Sequence, residues 1–198
     1  AFLSGAYDVS TFGRSPGGVT YTDQVARSPG ARYFVPSLDE WIKAAHSDPN
    51  KPNADGTTGD YWLYSNSSDT PYAYGPPGVR VRPIGGAPGP DPNGEFATAN
   101  AGWNDFHFGT SPFTIPLGSY DGVTSPWGLM DVAGATSEWL EDTYRDPRES
   151  YFRARFVEGT AWVFNTTGGP DQVGYLRGAG EPDLPFYEIG VRLAAVVH

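Results

Sequence analysis

The chain has 198 residues and a formal charge of −10, from 13 Lys and Arg against 23 Asp and Glu, and no run of basic residues that would give an electrostatic footprint for DNA, RNA or anionic lipid. It contains no cysteine, which removes disulfides, thiolate zinc sites, iron–sulfur clusters and thiol nucleophiles together. With Gly 26, Pro 19 and 15% aromatic residues, it reads as one domain, residues 1–198, that folds with many loops.

No stretch approaches the length of an apolar span, and Ala1-Phe2-Leu3-Ser4-Gly5 lacks a charged region followed by an apolar core, so neither a membrane partner nor a targeting signal is expected in this chain. Without an initiator Met it reads as a mature or excised piece. From Tyr7 to Gly30, Gly, Ser, Thr and Pro are broken by single aromatics and valines, the pattern of irregular loop with at most one short hairpin. The first regular element is Val35 to His46. Ser37 and Glu40 have capping-box spacing, and Leu38, Trp41, Ile42 and Ala45 recur at helical intervals. This predicts a helix stopped by Asp48-Pro49.

Asn50 to Ala99 is dense in turn residues, including Pro76-Pro77-Gly78 and the run Gly85 to Gly94, and predicts a long loop. Strand-like pieces follow at Ser137 to Glu141, Phe156 to Phe164 and Ile189 to Val197. One helix with short scattered strands predicts an α+β, loop-rich domain.

The polar chemistry is sparse. His46, His107 and His198 have no ligand spacing and read as surface or packed histidines. No G-x-S-x-G occurs, and Gly85-Gly86 lacks the helix and Lys of a phosphate cradle.

Four separated stretches, spread over about 160 residues, resemble motifs of the formylglycine-generating enzyme family, or sulfatase-modifying factor domains. Val35-Pro36-Ser37-Leu38-Asp39-Glu40-Trp41-Ile42-Lys43-Ala44-Ala45-His46 is similar to the family's L-P-T-E-x-E-W-E-x-A-A-R. Pro126 to Trp139 resembles P-x-G-L-Y-D-M-x-G-N-V-W-E-W. Glu158-Gly159-Thr160-Ala161-Trp162 and Gly190-Val191-Arg192-Leu193-Ala194 resemble R-G-G-S-W and G-F-R-L-A. The resemblance implies a variant of the C-type lectin fold, with the part of the family domain that usually precedes the helix trimmed or carried on another segment. The positions of the family's catalytic cysteine pair align with Phe164 and Gly169. Neither residue supplies the thiolate that copper and a substrate thiol require, so no copper and no formylglycine chemistry are expected.

The resemblance also implies two calcium positions built from hard oxygen donors. One uses the side chains of Asp131 and Glu138 with the carbonyls of Gly134 and Thr136. The other uses the side chains of Asn100 and Asp105 with the carbonyls of Ala101 and His107. Against these stand plainer roles: Asp131 and Glu138 capping turns or pairing with Arg145, and Asn100 and Asp105 closing Asx turns.

Trp41, Trp127, Trp139 and Trp162 lie inside the motifs and are expected in the core, where large rings supply burial. Trp62 and Tyr64 in the middle loop, Trp103, and the late Phe164, Arg177, Phe186 and Tyr187 are candidate ligand contacts, since Tyr and Trp beside Asn and Asp suit sugar stacking or a protein partner. The expected function is a noncatalytic, calcium-stabilised recognition module for a glycan or protein ligand, able to form homo-oligomers and located outside the cell or in the periplasm. Two alternatives stay open: an enzyme of the same fold with other chemistry or a partner domain, and a structural appendage or retroelement-diversified variable protein.

Overall fold

The computed structural model describes residues 5–8, 10, 13, 24–81, 97–102, 115–134, 136–144, 154–160, 171–175, 178–181, 186 and 188–196. Among them the order is β1 (Tyr33–Phe34), α1 (Leu38–His46), β2 (Ser47–Pro52), β3 (Thr58–Tyr61), β4 (Arg80–Val81), β5 (Ala97–Thr98), β6 (Ser137–Tyr144), β7 (Ala154–Glu158), β8 (Gly178–Gly180), β9 (Ile189–Gly190) and β10 (Ala194–Ala195). This is the α+β, loop-rich composition expected. The chain divides into two compact units, the first gathering Ala1–Trp41, Glu138–Glu158 and Arg177–His198, the second Ile42–Ser137 and Gly159–Leu176.

The helix forms where its capping signal lies. The Ser37 hydroxyl accepts from the Glu40 amide at 3.3 Å, and the Glu40 carboxylate accepts from the Ser37 amide at 2.9 Å. Two otherwise orphaned donors are thereby satisfied, a gain of about 1 kcal/mol. Asp39 and Glu40 in the first turn and Lys43 in the last complement the helix dipole.

In the first unit, a four-stranded sheet runs β8-β7-β6-β9, and β1 pairs with β10. β6 and β7 are antiparallel with Glu138 opposite Glu158, and the register shifts between Trp139 and Thr143. Gly180 is required by its neighbour, because a Cβ there would stand 2.7 Å from the Trp139 ring. A small core of Ala6, Tyr7, Ala31 and Phe34 packs with Val35 and Ala194. The single strand expected over Ile189 to Val197 is instead two pieces, β9 beside β6 and β10 beside β1. Between them Val191 and Leu193 are 59% and 52% exposed while Arg192 reaches a buried carboxylate, so the side chain that faces inward is the charged one.

The second unit corrects the reading of Asn50 to Ala99 as loop alone. β2 and β3 form an antiparallel hairpin there, and β4 pairs with β5. Pro49 and Pro52 lie within β2. A two-stranded ribbon has edges on both sides, so it tolerates the missing amides that argue against a central strand. The core of this unit is aromatic: Tyr64, Tyr72 and Tyr74 with Ala101 and Ala133, beside a second group of Ala73, Val81, Ala99 and Tyr120. Tyr64 and Tyr72 meet edge to face, with centroids 6.0 Å apart, a favoured aromatic geometry. No helix among the described residues is long and apolar enough to cross a membrane.

One close approach fixes the backbone of the second unit. Gly134 has φ +86°, and a Cβ there would lie 2.5 Å from both the N and the O of Gly102. Left-handed backbone alone costs a non-glycine residue about 1–2 kcal/mol, and neither partner atom is a movable side chain. Gly134→Ala is expected to destabilise the fold by more than about 2 kcal/mol, read as a lowered urea midpoint. A midpoint within error of wild type would show that the approach is not a constraint.

Candidate functional site

The buried carboxylates carry most of the site geometry. In the first unit Glu138, on β6, is 6% exposed. Trp41 Nε1 donates to its Oε2 at 2.8 Å, Arg192 Nε donates to both oxygens at 3.0 Å, and Arg192 Nη2 lies 2.7 Å from Oε1. As it stands, Glu138 fits an arginine partner. A calcium ion at this carboxylate would have to replace the guanidinium. Three residues on, Glu141 accepts from the Tyr7 hydroxyl at 2.9 Å and the Arg27 amide at 2.7 Å, and pairs with Arg27 Nη1 at 3.2 Å. Burial, reinforced by the bond to Glu141, pushes the Tyr7 hydroxyl up to about 12. Asp142 accepts from the Leu38 amide at 2.5 Å.

Asp131 lies in the second unit with a φ of +53°, rare for a residue with a side chain. Its Oδ2 accepts from the Gly118 amide at 2.6 Å. It borders two small clefts, one shared with Ser65, Tyr72, Asn100 and Tyr120, the other shared with Gly102, Ile115, Leu117 and Gly134. Asn100 and Asp131, assigned to different calcium positions in the sequence, thus line the same cleft. Asn100 Oδ1 accepts from the Ala73 amide at 2.7 Å, and the Ala101 carbonyl accepts from the Gly75 amide at 3.0 Å. Burial, together with the Asp131 charge, raises the Tyr120 hydroxyl well above its ordinary value. The Gly134 amide donates to Thr160 O at 3.0 Å and Thr160 Oγ1 at 2.9 Å, and Thr136 is half-buried. Among the described residues no group of three His, Asp or Glu side chains is placed to hold a metal. Asp105 and His107 lie outside the described residues.

The sequence reading did not single out Asp171, a 5% exposed carboxylate. It accepts from the Thr160 amide at 3.0 Å, from Thr160 Oγ1 at 2.7 Å and from the Tyr74 hydroxyl.

Of the candidate ligand contacts, Trp62 is half-buried, with Nε1 donating to Asp48 Oδ2 at 3.0 Å and Lys51 Nζ 4.9 Å from its ring centroid. Tyr64, expected at a ligand face, is 2% exposed and its hydroxyl accepts from Gln172 Nε2 at 2.9 Å. It belongs to the core because its neighbours Tyr72 and Tyr74 close over it. Phe186 packs on Trp139 in the first unit, centroids 6.1 Å apart. Trp103, Trp162, Phe164, Arg177 and Tyr187 lie outside the described residues. Trp41 is buried as expected, but Trp127 is 57% exposed. The cause is a turn that the sequence announces as Pro126-Trp127-Gly128. Gly128 N donates to Ser125 O and Ser125 N to Leu129 O, each at 2.9 Å, and Gly128 has φ +81°, so the indole stands on a tight turn.

Compared with known proteins, residues 7–197 match the family model described as the Sulfatase-modifying factor enzyme 1-like domain. A solved structure titled "Crystal Structure of CarF" is similar at 24% identity and a TM-score of 0.47, over 88% of this chain and 53% of that one. The chain therefore spans about half the length of that protein. No match is found among curated proteins.

Two measurements follow from the buried groups. His46 is 2% exposed and burial holds it down at about 4, against its ordinary 6.5. The unfolded chain therefore binds a proton between pH 6.5 and 4 that the folded chain refuses. Its contribution is fully present above pH 6.5 and is lost as pH falls toward 4, a change of about 3 kcal/mol. Denaturant titrations of wild type and His46→Phe across that window should diverge; parallel pH profiles would contradict the assignment. Glu138→Ala leaves Arg192 without this buried partner and is expected to cost about 3 kcal/mol or more, equally in calcium and in chelator. A loss confined to calcium-containing buffer would instead make Glu138 a metal ligand.

Proposed function

Because this chain belongs to the family of the Sulfatase-modifying factor enzyme 1-like domain, we propose that it is a noncatalytic member, a calcium-stabilised recognition module for a glycan or a protein ligand. One observation carries the noncatalytic part. The family resemblance places a cysteine pair at the heart of the oxidase chemistry, and this chain has no cysteine at any position. Phe164 and Gly169, the residues that align with those positions, neither bind copper as thiolate does nor form the covalent link to a substrate thiol.

Recognition is supported by aromatic side chains whose polar ends are already held. Trp62 is fixed by Asp48 and Trp127 by the Ser47 hydroxyl, which accepts from the indole at 3.2 Å. Fixed rings contribute contact area with little ordering cost on binding. The calcium part of the proposal rests on Asp131 and Asn100, which line one cleft with Ser65; carboxylate and amide oxygens are donors that suit a hard cation, and these residues would hold it. Millimolar calcium is an extracellular or periplasmic condition, and the proposal places the domain there.

Thermal melting in millimolar calcium and in chelator tests this. Calcium at about 100 times its Kd adds about 2.7 kcal/mol, a rise of roughly 5 to 11 °C for a domain of this length, expected to vanish in Asp131→Ala and Asn100→Ala. An unchanged Tm removes calcium from the proposal. Turnover of a cysteine-containing peptide by the copper-supplemented chain would overturn its noncatalytic part.

A further inference from the structure

We propose that Ser47 and Tyr61 of the β2–β3 hairpin, with Trp127 bonded to Ser47, form a stacking site for the pyranose rings of a neutral glycan; this deepens the recognition reading above and rests on it.

Trp127 is presented and oriented before any ligand arrives. The turn from Ser125 to Leu129 places the indole outward at 57% exposure. Its Nε1 donates to Ser47 Oγ at 3.2 Å, and the Ser47 hydroxyl in turn donates to Lys43 O at 2.7 Å. With its own proton committed to the helix end, that hydroxyl has only lone pairs to offer the indole, which sets the plane of the ring. Ser47 stands opposite Tyr61 in the antiparallel register, and directly opposed residues share a face with Cβ atoms about 5 Å apart. Tyr61 is 42% exposed. Two exposed rings thus flank a hydroxyl.

The chemistry of this face selects its occupant. Trp127, Ser47 and Tyr61 carry no charge. Asp48 and Asp60, which oppose each other in the register, fall on the other side, where Asp48 receives the Trp62 indole. Tyr61 has a cation beside it, Lys51, whose Nζ donates to Tyr61 O at 2.7 Å and pairs with Asp69 at 3.1 Å, which disfavours a cationic ligand. An anionic glycan would meet a chain of charge −10. A neutral sugar presents an apolar C–H face to the indole and hydroxyls to Ser47 and Tyr61, matching a surface that is aromatic in its middle and polar at its edge.

The test uses the full chain against a panel of neutral hexose and N-acetylhexosamine oligosaccharides, with sulfated and uronate-bearing oligosaccharides and a lysine-rich peptide alongside. Binding is read by calorimetry and indole emission, in calcium and in chelator. At least one neutral glycan is expected to bind, with affinity reduced about tenfold or more in Trp127→Ala, retained in Trp127→Phe, reduced in Tyr61→Ala, and unchanged in Tyr175→Ala, an exposed ring outside the hairpin. Ser47→Ala, which keeps the ring and removes its anchor, is expected to weaken binding by less than Trp127→Ala and guards against a folding artefact. The inference is overturned if no neutral glycan binds, if sulfated or uronate glycans bind as tightly, or if the peptide is the ligand that Trp127→Ala releases. Neutral binding undiminished in Trp127→Ala overturns this site while the recognition reading stands. Binding that persists in chelator with no calcium-dependent Tm leaves this site standing and removes calcium alone.

Discussion

The carboxylate of Glu138 is the point at which three distant stretches of the first unit are tied: β6 itself, Trp41 of α1, and Arg192 between β9 and β10. In a chain only 38% apolar, with strands this short, apolar area alone cannot specify where each segment goes. A buried carboxylate does so because its cost is recovered only when every lone pair finds a donor in the right place. Glu141 repeats the device with Tyr7 and Arg27, and Asp142 with the Leu38 amide. Three of the five residues from Glu138 to Asp142 thus organise loop and helix around one strand.

The second unit follows the same rule with neutral donors. Asn100 collects the Ala73 amide, Asp131 the Gly118 amide and Asp171 the Thr160 amide and hydroxyl. Each serves backbone that no sheet or helix satisfies, as a loop-rich domain demands. The tyrosine cluster works in both directions, burying rings while its hydroxyls reach Ser65, Gln172 and Asp171. Function, on this view, occupies surfaces that the polar scaffold leaves over.

What was legible in the sequence is what local rules control. Ser37 and Glu40 announced α1, and the family motifs together announced the fold, because both signals lie in contiguous residues. The hairpin β2–β3 was illegible because Pro49 and Pro52 spoke against a strand, while an edge ribbon accepts them. Ile189 to Val197 looked like one buried strand since its composition is β-branched; Arg192, the residue that breaks it, has its partner 54 positions earlier. Tyr64 and Trp127 exchanged expectations for a related reason. Ring burial depends on which neighbours close over a side chain, and only the Pro126-Trp127-Gly128 turn signal was there to read.

Thr160 and Asp171 are separated by 11 positions and joined through the amide, the hydroxyl and the Tyr74 bridge. A carboxylate shared in this way makes its partners open together: the Thr160 amide cannot reach solvent without Asp171 losing a donor, and the Tyr74 hydroxyl cannot leave without exposing a buried charge. This part of the tyrosine core therefore comes apart as one cooperative piece, not residue by residue.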